Sequence, residues 1–162
     1  MATVPHPGVE LVEAISSEQA EQARALFLEY AESLDFSLCF QSFDEEVKNL
    51  PGAYAPPTGR LLLALQQGQS AGCVALRLLE PKICEMKRLY VRPAYRGKGL
   101  GQMLVERVIA EARAIGYERM RLDTVASSMQ DAVALYQRRG FREIEPYRTN
   151  PIAGAIYLEL LL

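Results

Sequence analysis

The chain has no tryptophan, one histidine and three cysteines in 162 residues, and each shortage removes a class of chemistry. His6, set between two prolines, stands alone, so neither a histidine-dependent triad nor a histidine-based zinc centre can be assembled, and no metal site is expected. Cys39, Cys73 and Cys84 are odd in number and far apart. The last two sit inside apolar runs, where a cysteine reads as a small buried hydrophobe, and nothing near Cys39 in sequence supplies an activating base. No apolar run approaches the roughly 18 residues that cross a bilayer. The opening MATVPHPGVE lacks the basic-then-apolar pattern of a targeting signal, so a cytoplasmic protein with no membrane partner is expected. Eighteen basic against twenty acidic residues leave a net charge of −2, which argues against a nucleic-acid partner bound through phosphate neutralisation. The chemistry must therefore come from carboxylates, a tyrosine or backbone amides.

What is present is an apolar content of 49% with 23% charged residues, evenly spread, which fits a single domain over 1–162 with a flexible leader at 1–8. Val9 to Ile15 reads as a strand. Ser16 with Gln19 three residues on forms a capping-box pattern, opening a helix that ends near Leu34. Residues 35–57 are irregular and aromatic, with Phe36, Phe40, Phe43 and Tyr54 and a short helix near Asp44 to Leu50. Such a segment is either a lid over the core or a wall of a substrate pocket. Leu61 to Leu65 and Ala71 to Leu78 read as a hairpin, and Ile83 to Val91 as the next strand. A long amphipathic helix runs from Gly99 to Ile115 and stops at Gly116. Arg119 to Val125 is a strand, and Ser128 with Asp131 caps a helix that runs to Arg139. Phe141 to Ile144 and Ala155 to Leu162 close the chain as strands. This order predicts a mixed α/β fold with one central sheet of six to seven strands and helices on both faces. The strands on either side of the 99–115 helix are expected to be parallel neighbours through a right-handed crossover.

Residues 96–101 read Arg-Gly-Lys-Gly-Leu-Gly, directly after a strand and opening a helix. The first amides of a helix have no intrahelical acceptor, and glycines let a bulky anion approach, so the turn suits a pyrophosphate. Arg92, Arg96 and Lys98 add positive charge. A dinucleotide fingerprint beginning at Gly97 fails because position 102 is Gln102. A P-loop ending in Gly97-Lys98 fails because position 92 is Arg92 and Gly99 follows the lysine.

The remaining spacing, Arg-x-x-Gly-x-Gly, resembles the GCN5-related N-acetyltransferase (GNAT) superfamily. So do Met86-Lys87-Arg88-Leu89-Tyr90-Val91 before the turn and Ala132-Val133-Ala134-Leu135-Tyr136-Gln137-Arg138-Arg139-Gly140-Phe141 after it. The resemblance implies acetyl-coenzyme A as cosubstrate and transfer of its acetyl group to a primary amine by direct attack in a ternary complex. It also implies a strand splayed from its neighbour around the coenzyme arm, with Leu89, Tyr90 and Val91 along that arm. Arg96, Gly97, Lys98, Gly99, Leu100 and Gly101 would hold the diphosphate. Tyr136 matches the family's frequent general acid, and otherwise reads as core beside Met129, Ala132 and Val133. Glu85 stands where some members carry a base glutamate, and otherwise reads as a partner of Lys87, Arg88 or Arg121, with Asp123 in reserve. The family's asparagine seven residues before the tyrosine is Met129 here.

An unperturbed amine of pKa ~10.4 needs about 4.6 kcal/mol to be neutral at pH 7, so a base is required. The acceptor is left open by the fold. Phe36, Phe40, Arg148 and Asn150 are the candidate acceptor residues. If Arg148 binds a carboxylate, the acceptor is a small amino-acid-like amine. The alternatives are a non-catalytic acyl-coenzyme A sensor, a protein amine acetyltransferase, or a nucleotide-phosphate binder without acyl chemistry. A homodimer is compatible with the resemblance.

Overall fold

Period-two alternation and helical stripes resolve into strands and helices close to the expected ranges in a computed structural model that describes residues 8–38, 42–127 and 129–162. The strands are β1 (Val9–Glu13), β2 (Arg60–Gln66), β3 (Gln69–Glu80), β4 (Ile83–Val91), β5 (Arg119–Val125), β6 (Arg142–Ile144) and β7 (Ala155–Leu161). The helices are α1 (Ser17–Ser33), α2 (Phe43–Lys48), α3 (Leu100–Ile115) and α4 (Gln130–Arg138). One sheet of order β1-β2-β3-β4-β5-β7-β6 joins all seven strands, and β4–β5 alone among its pairings is parallel, bridged by α3 as a crossover requires.

Two cores flank the sheet. Leu104, Val105, Val108 and Ala112 of α3 bury their stripe against Leu62, Val74, Leu76, Met86, Met120 and Leu122, with Leu135 and Tyr136 of α4 joining them. On the opposite face Ala23, Leu26 and Phe27 of α1 pack on Leu61, Leu63, Cys73 and Ala75, together with Phe43 and Tyr54. Cys73 and Cys84 are fully buried, as small hydrophobes should be, and burial raises the Cys84 thiol to about 12. The Ser16–Gln19 capping box closes α1 as expected: the Gln19 amide donates to Ser16 Oγ at 3.1 Å, and Gln19 Oε1 accepts from the Ser16 amide at 3.1 Å. The expected cap of α4 differs. Ser128 lies outside the described residues and Met129 takes the N-cap position, where its Sδ accepts from the Thr124 hydroxyl at 3.1 Å.

The feature that shapes the molecule is where β4 and β5 part. They pair only through Ile83↔Arg119, Cys84↔Met120 and Glu85↔Arg121, while β4 continues along β3 and β5 along β7. In the β3–β4 ladder, Cys73 faces Tyr90 and Ala75 faces Lys87, so Val74 stands opposite two residues, Arg88 and Leu89. This bulge, with Arg88 at φ 62°, kinks β4 at the point where it leaves β5. Close approach at the next step needs a glycine: a Cβ on Gly72 would come within 2.7 Å of the Tyr90 carbonyl oxygen.

Candidate active site

The parted strands enclose a cleft of about 720 Å³. Met86 to Val91 form one wall and Leu122 to Val125 the other; α1 contributes Tyr30 and Ser33, and α4 contributes Leu135 and Tyr136. At its outer end lies the glycine turn. Gly99 sits at φ 83° as the N-cap of α3, a conformation that costs a side-chain-bearing residue energy and leaves the helix start uncovered. Arg96 donates its amide to Pro93 and Met103 to Gly99. Between them, the amides of residues 97–102 find no acceptor among the described residues. A Cβ at Gly97 would meet nothing within 4 Å, so the turn is open at that residue. That is the arrangement an anion needs.

Of the residues expected at the coenzyme, Leu89, Tyr90, Val91, Arg96, Gly97, Gly99, Leu100 and Gly101 all line the cleft. Lys98 does not; its Nζ lies over the Tyr95 ring at 6.0 Å. Arg96 spans the turn, its Nε donating to the Val91 carbonyl at 2.9 Å. Arg92 is occupied elsewhere, bonded to Glu29 of α1 at 2.7 Å and to the Ser70 carbonyl at 2.8 Å.

Tyr136 lines the cleft with its ring packed 5.7 Å from Phe141. Its hydroxyl donates to no described residue. Burial raises its pKa, with a smaller contribution from Tyr30, so the phenol stays protonated at any working pH.

Glu85 is placed differently from a base. Its carboxylate is fully buried and is absent from the cleft wall. Arg77 donates to Oε1 at 2.8 and 2.9 Å, Tyr147 donates to Oε2 at 2.7 Å, and Arg148 pairs with Oε2. Lys87 stands 3.9 Å away. Burial alone would raise this carboxyl, but Lys87, Arg148 and Arg77 and the Tyr147 hydroxyl together hold it below the usual carboxylate range. The expected partners Arg88 and Arg121 are engaged with Glu46 and with Glu159 and Glu80. Arg148 is therefore spent on Glu85 and lies outside the cleft, because the loop that carries it folds inward through Tyr147.

Asp123 does line the cleft, and its Oδ2 accepts from Asn150 Nδ2 at 3.1 Å. Asn150 also lines the cleft, with Oδ1 held by the Ile152 amide at 3.0 Å. Phe36 is half-buried in the wall. Phe40 lies outside the described residues. Phe43 turns away from the cleft, beneath the Arg88 guanidinium at 5.1 Å.

Among the cleft residues that the sequence reading did not assign to the site are Lys87 and Arg88. Lys87 was visible only as a neighbour of Glu85, although a lysine in the middle of a strand otherwise rich in buried side chains is itself a signal. The Arg88–Glu46 pair joins positions 42 apart in sequence, which no local pattern discloses.

A model of the acetyltransferase (GNAT) family matches residues 13–141. The chain belongs to that family. An N-acetyltransferase of Schizosaccharomyces pombe, itself uncharacterized, is 40% identical over 145 residues, covering 88% of each chain. An IAA acetyltransferase of Azospirillum brasilense is 35% identical over 103 residues, 61% of this chain and 67% of that one. Among solved structures, the PaiA N-acetyltransferase of Thermoplasma acidophilum in complex with coenzyme A superposes with a TM-score of 0.72 at 16% identity, covering 95% of this chain and 99% of that one; this likeness speaks for the fold. The GNAT chain described here is an acetyltransferase with its cleft open between β4 and β5.

Proposed function

We propose that this GNAT enzyme moves an acetyl group from acetyl-coenzyme A to the primary amine of a small molecule, in the cytoplasm and in a ternary complex. The observation that carries the reading is the row of uncommitted amides at 97–102 opening into a cleft between parted strands. Those amides, with Arg96 beside them, suit the diphosphate; Leu89, Tyr90 and Val91 offer a strand edge to the pantetheine arm. Acetyl-coenzyme A supplies an activated acyl group on a good leaving thiolate.

The chain's own residues supply the proton management. Asp123, the cleft carboxylate, takes the proton of the acceptor amine directly or through one water, with Asn150 orienting it. The Tyr136 hydroxyl, protonated and without a partner among the described residues, gives a proton to the departing sulfur. Glu85 serves as the anion that gathers Arg77, Lys87 and Arg148 under the sheet. Relatives named for small acceptors, the IAA acetyltransferase of A. brasilense and the amino-acid acetyltransferase of Mycobacterium tuberculosis, support a small-molecule acceptor.

The test pairs calorimetry of coenzyme A binding with thiol release from acetyl-coenzyme A over a panel of amines. Micromolar-scale binding with amine-dependent release is expected. Coenzyme binding without release on any amine would favour the sensor alternative, and equal binding of coenzyme A and ATP would sink the acyl-transfer reading.

A further inference from the structure

The stripe that buries Ala23, Leu26 and Phe27 of α1 against the sheet carries one residue further, to Tyr30, whose side chain reaches the cleft wall. Two contacts fix it there. The Ser33 hydroxyl closes the last helical turn on the Tyr30 carbonyl at 2.6 Å, and the Tyr30 ring stands edge-on to Tyr90, centroids 6.0 Å apart. Its hydroxyl has no partner among the described residues, yet it is not one of the atoms sealed in the core, so it opens on the cleft, as that of Tyr136 does. Other phenols nearby face other groups: Tyr90 and Tyr95 lie under Arg96 and Lys98 of the glycine turn, and Tyr147 is bonded to Glu85. Burial pushes the Tyr30 phenol up to about 12, while Arg88 draws it down and Asp123 of β5 pushes it up. The group is therefore neutral at working pH, with lone pairs to offer an N–H. A hydroxyl withdrawn from bulk water and left unpaired is costly until a ligand or a water completes it.

We propose that Tyr30 binds the acceptor amine, its phenol oxygen accepting the N–H that Asp123 does not take, and so selects primary amines over secondary ones. The inference rests on the acetyl-transfer reading for the presence of an acceptor amine. Once its ammonium proton is gone, a primary amine keeps two N–H groups and a lone pair. The lone pair has to point at the thioester carbon, and two acceptors on different elements, Asp123 of β5 and Tyr30 of α1, fix that direction. Nitrogen bonds the acetyl carbon as the C–S bond breaks. One proton leaves nitrogen through Asp123 to solvent, Tyr136 gives one to sulfur and recovers it from solvent, and Tyr30 keeps its own. Nitrogen grows more positive along this path, so its hydrogen bond to Tyr30 strengthens in the transition state. A secondary amine has a single N–H, which goes to the base, and leaves the Tyr30 oxygen facing an alkyl group.

The test uses benzylamine, ethanolamine and L-alanine, each beside its N-methyl counterpart, because N-methylation removes one N–H and changes basicity little. Thiol release from acetyl-coenzyme A and calorimetric binding to the protein saturated with coenzyme A are measured for every compound. A primary amine is expected to react with a kcat/KM roughly tenfold or more above that of its N-methyl partner. Tyr30→Phe keeps the ring against Tyr90. It should lower the primary-amine value roughly tenfold and leave the N-methyl value nearly unchanged, closing the gap, with melting temperature and coenzyme A affinity retained. No preference in the unaltered protein, undiminished release on primary amines in Tyr30→Phe, or an equal fall on primary and N-methyl amines overturns the contact and leaves acetyl transfer standing. Tyr30-dependent binding of the primary amines without thiol release would uphold the contact and fail the transfer reading. Neither binding nor release on any pair would overturn both.

Discussion

Arg88 grips Glu46 with both ends of its guanidinium, Nε to Oε2 at 2.8 Å and Nη2 to Oε1 at 2.9 Å. The pair joins the kink of β4 to α2, a helix of six residues, too short to hold its place by its own hydrogen bonds. The Arg88 side chain is 3% exposed and that of Glu46 is 16% exposed, so removing one partner strands a buried charge. Glu46→Gln should therefore cost about 3 kcal/mol of stability in urea denaturation. Replacing both residues with methionine should recover much of that loss, because no uncompensated charge remains. A single-variant cost within 0.5 kcal/mol, roughly the noise of a surface substitution, would show that the pair does not secure α2.

Glu85 gives a second prediction, on acid stability. Its folded pKa lies below the ordinary value because Arg77, Lys87, Arg148 and Tyr147 outweigh burial. A group depressed on folding stabilises the protein above its unfolded pKa of about 4.3 and loses that contribution as pH falls through its folded pKa. Stability should thus drop on acidification below about pH 5. In Glu85→Gln the protein should be weaker at neutral pH and the acid-side slope shallower. An unchanged slope from pH 5 to 3 would remove Glu85 from the acid transition.

Tyr136 separates a proton donor from a core aromatic. Phenylalanine preserves the ring against Phe141 and removes only the hydroxyl, which has no partner among the described residues to lose. Tyr136→Phe should keep its melting temperature and its coenzyme A affinity while turnover falls about tenfold or more, the usual scale for removing a positioned acid. Full turnover in the variant would assign the residue to packing alone.

Much of this site was legible because its determinants are local. The glycine spacing at 97–101, the strand before it and the capping pattern of Ser16–Gln19 each lie within a few residues, and the elements form where those signals fall. The parting of β4 from β5 followed from the family resemblance, since no single-residue pattern states where two strands stop pairing. The roles of the charged residues were not legible. Glu85 and Asp123 both look like strand carboxylates in sequence. What separates them is Tyr147 and Arg148 arriving from a loop 62 and 63 positions away to enclose Glu85, while Asn150 of the same loop leaves Asp123 facing the cleft. Arg148 matched the chemistry of a carboxylate anchor, but its guanidinium found a carboxylate inside the protein.

The two carboxylates can be told apart by the pH dependence of turnover. A general base that must be ionised gives a rate that falls on the acid side as it takes up a proton. If Asp123 accepts the amine proton, Asp123→Asn should lower kcat by about a hundredfold and flatten that acid limb, with coenzyme affinity retained because the glycine turn is untouched. Glu85→Gln should leave the limb in place, since a carboxylate clasped by Arg77 and Arg148 and walled off from the cleft has no path to the amine. A limb that disappears in Glu85→Gln and persists in Asp123→Asn would return the base to Glu85, and would mean that its cage of cations opens when acceptor binds.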